Sequence, residues 1–244
     1  MITSASAFND IQQKIWVIIP AAGIGARMAS AVPKQYLSLG QHAVIDVTLQ
    51  KIISLPFIAG VVVALHPNDT HWPTLVCAQH KKIHTVVGGD TRQASVAAAL
   101  AYLSTQNTAK EDWLFVHDAA RPCVSVAKIH ELCATAIREN CAAILAKPIS
   151  DTVKKSNNGT HIDTTKNRDT LWLAHTPQVF RVNELVQALE FAKANDIQFT
   201  DEASAVEAMG NPVRLVVDTS TNIKITRPED LALAQFILEQ QHGI

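Results

Sequence analysis

Short apolar runs alternate with segments of helical periodicity through the first 145 residues of the chain. The runs are rich in β-branched residues and are found at Trp16–Ile19, Val61–Leu65, Ile83–Val87, Trp113–Val116 and Ala142–Leu145. Such runs predict strands that are buried on both faces of a sheet. Helical spacing recurs between them, at Val44–Ile53, Trp72–Gln79, Gln93–Leu103 and Ala127–Arg138. The alternation predicts an α/β fold with a mainly parallel sheet, right-handed crossovers and helices on both sides.

After residue 148 the pattern changes to a polar stretch with Asn158-Gly159 near its middle. An Asn-Gly pair is a strong signal for a two-residue hairpin turn. We therefore expect a projecting β-hairpin arm at about residues 149–169. An isolated hairpin is marginally stable in water, so the arm is expected to pack on a second copy of the chain and to form a homodimer.

Helical spacing returns at Val182–Ala194 and Glu202–Met209, and an apolar strand is predicted at Val213–Val217. The segment Thr226–Glu229 fits a capping box with a proline in the first turn of the last helix. No internal repeat and no low-complexity linker interrupts the chain. Residues 1–244 are therefore predicted to form a single Rossmann-like three-layer domain into which the arm is inserted.

Composition narrows the classes of partner. The chain has 244 residues, of which 48% are hydrophobic, and its 21 Lys and Arg nearly balance its 22 Asp and Glu. A balanced charge does not favour nucleic acid or an anionic membrane surface. The four cysteines form no C-x-x-C pair, and no apolar run reaches the roughly 18 to 20 residues of a membrane span. We expect a cytoplasmic protein that binds neither nucleic acid nor membrane.

The stretch after the first predicted strand points to a phosphate site. It runs Pro20-Ala-Ala-Gly23-Ile-Gly25-Ala-Arg27-Met28, and its small residues let the backbone approach a ligand closely. Met28 stands where the dinucleotide fingerprint needs its third glycine, and the Walker pattern is absent. Because Arg27 and Lys34 add basic charge, the loop suits a triphosphate. A plain βα turn with solvated basic side chains is the alternative.

This loop and Pro33-Lys34-Gln-Tyr resemble the nucleotide loop of sugar-phosphate nucleotidyltransferases, and within them of the 2-C-methyl-D-erythritol 4-phosphate cytidylyltransferase family. Further motifs follow in family order: Gly88-Gly-Asp-Thr-Arg92-Gln-Ala-Ser95, Val116-His-Asp118-Ala-Ala-Arg121-Pro122, Asp151-Thr152-Val-Lys, Arg168 with Leu171-Trp, Thr176-Pro-Gln, Thr200-Asp-Glu-Ala-Ser and Asn222-Ile-Lys224. The resemblance covers residues 16 to about 236. It implies in-line attack of a polyol phosphate on the α-phosphorus of CTP, with release of pyrophosphate, in isoprenoid precursor synthesis.

The resemblance also implies roles on the CTP side. Arg27 and Lys34 would be catalytic, stabilising the pentavalent α-phosphate and the leaving pyrophosphate. The residues that it implies for CTP binding are Pro20, Ala21, Ala22, Gly23, Gly25, Gly88, Gly89, Asp90, Arg92 and Ser95. Mg²⁺ is expected as the cofactor, held mainly by phosphates, with Asp118 as a possible ligand. The residues alone leave open that Gly88-Gly89 forms a βα turn with Asp90 or Thr91 as the helix cap.

The acceptor residues that the resemblance implies are Asp118, Arg121, Thr152, Arg168, Thr176 and Lys224. Thr152 and Arg168 flank the arm and would complete the site of the partner subunit. The alternative for Asp118 is that it only stabilises a turn. His117 is expected to be a packed histidine, since a phosphate nucleophile needs no general base. The acidic pair Asp201-Glu202 is expected to begin a helix rather than to act as a catalytic pair.

Three other functions share parts of this pattern. A relative with the same chemistry but another acceptor, such as ribitol 5-phosphate, is the nearest alternative. A nicotinamide oxidoreductase is disfavoured by Met28. A non-catalytic nucleotide-binding module is disfavoured by the combination of Arg27, Lys34 and Lys224.

Overall fold

The computed structural model describes residues 11–23, 32–106 and 111–242. The strands of this part are β1 (Ile15–Pro20), β2 (Ser38–Leu39), β3 (His42–Ala43), β4 (Ile58–Leu65), β5 (Ile83–Val87), β6 (Trp113–Val116), β7 (Ala142–Pro148), β8 (Val153–Lys155), β9 (Thr164–Lys166), β10 (Trp172–Arg181) and β11 (Val213–Val217). The α-helices are α1 (Val44–Ile53), α2 (Arg92–Thr105), α3 (Val126–Glu139), α4 (Val182–Ala194), α5 (Glu202–Ala208) and α6 (Glu229–His242). Short 3₁₀ turns occupy Lys34–Tyr36, Trp72–Thr74, Val76–Gln79 and Arg168–Thr170.

The described residues contain a seven-stranded sheet in the order β11-β7-β10-β6-β1-β4-β5. β1 pairs parallel with both β4 and β6, β4 with β5, and β7 with β11. β10 is antiparallel to both of its neighbours, β6 and β7. The carboxyl ends of the parallel strands therefore meet along one edge, where doubly wound sheets bind their ligands.

Side chains alternate between two apolar layers on the faces of the sheet. On β1, Val17 and Ile19 pack on one side with α1 and α3, while Ile18 packs on the other side with α2, α4 and α5. Phe115 and Leu114 of β6 divide between the faces in the same way. Because both faces are covered, nearly continuous apolar strands are what the sheet requires. The mainly parallel three-layer α/β fold predicted from the sequence is confirmed.

A smaller apolar cluster attaches the last helix to the carboxyl edge. Leu39 of β2 and Ile225 pack there with Ala234 and Leu238 of α6. The backbone N–H of Ile225 donates to the carbonyl of Ala120 (2.9 Å). The chain is thereby returned to the carboxyl edge of the sheet just before its last helix begins.

One central strand, β10, was not predicted. Its sequence, Trp172-Leu-Ala-His-Thr-Pro-Gln-Val-Phe-Arg181, carries a proline and polar residues in the middle. Proline normally argues against a central strand because it cannot donate to the ladder. Here Pro177 follows a cis peptide bond and lies where the register between β10 and β7 shifts, between Ala174 and Gln178. The interruption of the ladder accommodates the missing donor.

The helix predicted at Trp72–Gln79 is wrong. The segment forms two 3₁₀ turns, separated by Leu75 in an extended conformation. Pro73 lies within the first turn, and the backbone N–H of Cys77 donates to Asp46 Oδ1 (3.1 Å). In an α-helix that N–H would donate to the carbonyl four residues earlier, so the side chain of Asp46 replaces the helical bond.

The two-residue turn predicted at Asn158-Gly159 is also wrong, although the antiparallel arm itself forms from β8 and β9. The connection spans residues 156–163. Gly159 has a positive φ of 73°, whereas Asn158 is not in the left-handed region, and a type I′ turn needs both residues there. The carboxamide oxygen of Asn158 instead accepts from the N–H groups of Thr160 and His161, which widens the loop.

The capping box predicted for the last helix is wrong: Thr226 lies three residues before the helix begins, and its hydroxyl donates a hydrogen bond instead of accepting one. Asp230, and not Glu229, accepts hydrogen bonds from the N–H and the hydroxyl of Thr226 and from the N–H of Arg227. The helix begins at Glu229, so Pro228 precedes it rather than lying in its first turn. Within residues 11–23, 32–106 and 111–242, no helix has both the length and the apolar character to cross a membrane.

Candidate active site

A pocket of about 310 Å³ opens at the carboxyl edge of the sheet. It collects residues from the segments that follow β1, β5, β6 and β11. The residues that were predicted from sequence and that line it are Pro20, Ala21, Ala22, Gly23, Lys34, Gly89, Asp90, Arg92, Ser95, Asp118 and Lys224. Segments far apart in the chain therefore share one cavity.

The loop after β1 is held by a side chain to which the sequence assigned no role. Gln35 is buried, and its Nε2 donates to the carbonyl oxygens of Ala21 (2.9 Å) and Gly23 (3.2 Å). Gln35 also lines the pocket, and it holds the start of the loop at Ala21 and Gly23. The proximity of Gln35 to Lys34 was the only signal in the sequence. Gly25 and Arg27 lie outside the described residues.

The 3₁₀ turn Lys34–Tyr36 sends its side chains in three directions. Lys34 lines the pocket and its Nζ donates to the carbonyl of Ile225 (3.2 Å). The hydroxyl of Tyr36 donates to Asp69 Oδ2 (2.5 Å), and its ring stacks on His71 at 5.0 Å. Burial, followed by the bond to Asp69, raises the pKa of Tyr36 above its usual range. The turn is therefore attached to three separate parts of the fold.

The segment after β5 begins α2 and also lines the pocket. Thr91 is the N-cap, since its hydroxyl accepts from the N–H of Ala94 (3.0 Å). Gly88 lies behind the lining, where a Cβ would be 2.7 Å from the Cβ of Ala22 and 2.8 Å from Ser95 Oγ. The two loops approach each other too closely here for a side chain. The cap interpretation is confirmed, and Gly89 and Asp90 still face the cavity.

The carboxylate of Asp118 is the centre of the site's charge. Among the described residues, three cationic side chains contact it: Arg92 Nη1 lies 2.5 Å from Oδ1, and Lys224 Nζ (2.8 Å) and Arg121 Nε (3.4 Å) lie near Oδ2. Burial alone would raise the pKa of this carboxyl. The charges of Arg92 and Lys224 outweigh burial and hold the pKa well below its usual range, so Asp118 is an anion.

Arg92 bridges two carboxylates. Its Nε and Nη2 donate to Oε1 (3.2 Å) and Oε2 (2.8 Å) of Glu202, whose side chain is 1% exposed. Burial acts to lower the pKa of Arg92, but the charges of Glu202 and Asp118 overcome it and raise the pKa. Asp201 caps α5 in a capping box with Ser204. The prediction that the acidic pair begins a helix is confirmed, and the pairing of Glu202 with Arg92 is additional.

A hydrogen-bonded chain fixes the backbone of Asp118 from the interior. The N–H of Asp118 donates to Thr176 Oγ1 (3.0 Å), and Thr176 Oγ1 lies 3.0 Å from His117 Nδ1. His117 Nε2 lies 3.2 Å from the carbonyl of Arg121, which can only accept. Burial lowers the pKa of His117 and keeps the ring neutral, so its proton is on Nε2 and Thr176 donates to Nδ1. His117 is the packed histidine that was expected, and Thr176 lies behind the pocket wall.

Asn222 fixes the segment that carries Lys224. Its Nδ2 donates to the carbonyl of Thr176 (3.0 Å) and to Asp218 Oδ2 (2.6 Å). Its backbone carbonyl accepts from Arg121 Nη1 (2.7 Å). Arg121, buried behind the pocket, thus connects Asp118 with the Lys224 segment.

The two arm residues predicted for the acceptor lie apart from this pocket. Thr152 and Arg168 are exposed, and Arg168 Nη1 donates to the carbonyl of Ser150 within the arm. The arm leaves the sheet after β7, at the same edge as the pocket. Neither Thr152 nor Arg168 lines the pocket that Lys224 lines.

Comparison with known proteins shows the family. The model of the family described as 2-C-methyl-D-erythritol 4-phosphate cytidylyltransferase (IspD) matches residues 15–240. The chain belongs to the 2-C-methyl-D-erythritol 4-phosphate cytidylyltransferase family. The match includes every segment that contributes to the pocket.

Individual relatives agree with the family model. The cytidylyltransferase of Vibrio parahaemolyticus is 43% identical over 226 residues, which cover 93% of this chain and 96% of that protein. That of Acinetobacter baumannii is 44% identical, with 95% and 96% covered. The crystal structure of the Francisella tularensis cytidylyltransferase superposes with a TM-score of 0.80 at 38% identity, covering 92% of this chain and all of that one.

Within the described residues, the acidic side chains of the pocket do not cluster as the protein ligands of a metal ion do. No group of three His, Cys, Asp or Glu side chains that could hold a metal occurs in the part of the chain that the structure describes. Both oxygens of Asp118 already contact cationic side chains. Asp90 also lines the cavity. For a cytidylyltransferase this donor set fits a magnesium ion whose ligands are mostly phosphate oxygens and water.

Replacing Gln35 tests whether it shapes the nucleotide loop. Gln35→Met and Gln35→Glu both remove the donor to Ala21 and Gly23, so each should raise the KM for CTP about 10-fold, the scale of one lost hydrogen bond in a preorganised site. Gln79→Glu, an exposed position, controls for added negative charge. Steady-state kinetics with varied CTP gives the answer, and an unchanged KM in Gln35→Met would contradict the assignment.

The neutral His117 predicts a pH-dependent stability. Burial lowers the pKa of His117 to about 4, whereas an unfolded histidine titrates near 6.5. Between these pH values the unfolded chain binds the extra proton, so stability is lost as pH falls. His117 should therefore lower the free energy of unfolding by up to about 3 kcal/mol between pH 6.5 and 4.

Urea unfolding of the wild type and of His117→Gln, at several pH values in this window, measures the effect. The glutamine does not titrate, so the stability advantage of the wild type over the variant should shrink as the pH falls. An advantage that is independent of pH would show that His117 is not held neutral.

Proposed function

We propose that the chain transfers CMP from CTP to 2-C-methyl-D-erythritol 4-phosphate, producing 4-diphosphocytidyl-2-C-methyl-D-erythritol and pyrophosphate for isoprenoid precursor synthesis. The observation that carries the proposal is the shared pocket, in which Lys34 and Lys224 lie beside the loop that follows β1. Membership of the cytidylyltransferase family supports the identity of both substrates. The chemistry is in-line attack of the acceptor's phosphate oxygen on the α-phosphorus of CTP.

Electrostatic repulsion is the main obstacle to this reaction. Two unit charges 4 Å apart repel by about 4 kcal/mol at an effective dielectric constant near 20, and each substrate carries several charges. Cations held in place before the substrates arrive offset this repulsion without reorganising during the reaction. We assign Lys34, together with Arg27, to the α-phosphate and the leaving pyrophosphate. The cytosine ring is assigned to Gly89, Asp90 and Ser95.

The acceptor is assigned to the other half of the pocket. Lys224 is 41% exposed and is suited to bind the acceptor's phosphate, while Asp118 can accept hydrogen bonds from its hydroxyl groups. Arg121 and Thr176 hold Asp118 from behind. Magnesium, bound mainly by phosphate oxygens, would neutralise charge on the triphosphate.

A homodimer would complete the acceptor site. The arm and its base expose apolar side chains: Ile162 is 64% exposed, Leu173 49% and Trp172 37%. Apolar surface of this kind at the base of a projecting hairpin favours packing on a second copy. Thr152 and Arg168 would then reach the partner's pocket, where a guanidinium suits a phosphate.

A substrate panel tests the function directly. CTP, UTP, ATP and GTP are each incubated with magnesium and with 2-C-methyl-D-erythritol 4-phosphate, ribitol 5-phosphate or erythritol 4-phosphate, and pyrophosphate is measured. CTP with 2-C-methyl-D-erythritol 4-phosphate should give the highest kcat/KM, and EDTA should abolish turnover. Preference for ribitol 5-phosphate would change the acceptor, and absence of pyrophosphate in every combination would refute the proposal.

Mixing two inactive variants tests the shared site. In a mixed dimer of Lys34→Ala and Arg168→Ala, the subunit that carries Arg168→Ala keeps its own Lys34 and receives Arg168 from its partner. One of two sites is then intact, so random mixing after mild dissociation should restore about a quarter of wild-type activity. In the control mixture, one of the two inactive variants is replaced by Lys193→Ala, a substitution at an exposed position on α4. No recovery on mixing would contradict an arm that acts across the dimer.

A further inference from the structure

Glu202 has no part in the proposed reaction, yet it contacts the pocket wall through Arg92. Its side chain is 1% exposed, and both of its carboxylate oxygens accept from the same guanidinium. A bidentate pair of this kind fixes the orientation of the guanidinium as well as its position. Glu202 belongs to α5, whereas Arg92 begins α2, so the pair also joins two helices on one side of the sheet.

Within residues 11–23, 32–106 and 111–242, the other ion pair of Arg92 is with Asp118. Three of the five N–H groups of a guanidinium are used in the bonds to Glu202 and Asp118. Two carboxylates oppose its single positive charge. Arg92 lines the pocket with 28% of its side chain exposed, but its charge is balanced before any phosphate arrives. Arg92 therefore connects the carboxylates of Glu202 and Asp118.

We propose that Glu202 is a positioning residue for the acceptor half of the site: by holding Arg92, it fixes the carboxylate of Asp118 against Lys224. The proposal rests on the proposed function, because it assigns Asp118 to the acceptor. Glu202 also prevents Arg92 from adding an uncompensated positive charge near the triphosphate. Loss of Glu202 is therefore expected to weaken the binding of the acceptor but not that of CTP.

The different effects on the two substrates distinguish a positioning role of Glu202 from a purely structural one. Without the charge of Glu202, Arg92 keeps its ion pair with Asp118 and gains freedom to turn toward the triphosphate. The affinity for CTP should then stay the same or increase, while the acceptor loses a fixed partner. A residue that only stabilises the fold would leave both KM values unchanged, or would weaken both together.

The test is Glu202→Gln, which keeps the size of the side chain but places an amide N–H₂ against a guanidinium donor. With 2-C-methyl-D-erythritol 4-phosphate and CTP, the KM for the acceptor should rise about 10-fold, since small displacements of a positioning group are costly. The KM for CTP should not rise. Glu207→Gln, exposed on the same helix, is the matched control and should behave as the wild type.

A double-variant cycle shows whether Glu202 acts through Arg92. If it does, Arg92→Gln/Glu202→Gln should raise the acceptor KM no further than Arg92→Gln alone. Glu202→Asp, which keeps the charge but is too short for the bidentate pair, provides a second variant if the glutamine variant does not fold. It should also raise the acceptor KM without raising that for CTP.

The outcomes distinguish this inference from the proposed function. A wild type that releases no pyrophosphate defeats the function itself. An active wild type whose Glu202 variants keep the acceptor KM, or raise both KM values equally, overturns the positioning role alone. Additive effects in the double variant would also overturn it, because Glu202 would then act independently of Arg92.

Discussion

At the carboxyl edge of the sheet, one buried carboxylate is bonded by cations that come from three separate segments of the chain. Arg92 reaches Asp118 from the start of α2, Arg121 from the turn after β6, and Lys224 from the segment before α6. A buried charge is tolerated when it is paired and hydrogen-bonded. These contacts fix the relative positions of the loops that form the pocket, and the other features of the site depend on that arrangement.

The same arrangement allows a protein without a large net charge to bind two anions. Positive side chains are concentrated locally and are held by protein acceptors: Lys34 by the carbonyl of Ile225, Lys224 by Asp118. Their positions are set by the fold before substrates bind, which is the condition for efficient electrostatic stabilisation. Balancing acids such as Glu202 limit how much charge the cluster adds to the interior.

Neutral side chains in and behind the pocket wall hold the segments that carry the charged side chains. Gln35 holds the start of the loop after β1. A second group, formed by His117, Thr176 and Asn222, connects the backbone of Asp118 with the segment that carries Lys224. Each of these groups is buried and donates or accepts with defined geometry. A network of this kind positions the residues that face the substrates, and a deletion within it is expected to affect more than one of them.

The sequence alone determined the alternation of buried strands and amphipathic helices, because continuous apolar runs and the 3.6-residue period are local properties. It also named Lys34, Asp118 and Lys224 as site residues, because their motifs resemble those of the family. Only the tertiary structure decided that β10 runs through the centre despite Pro177, that Asp46 replaces a helical bond at Cys77, and that Arg92 lies between Asp118 and Glu202. These features depend on contacts between residues distant in the chain, and such contacts leave no periodic signal in the sequence.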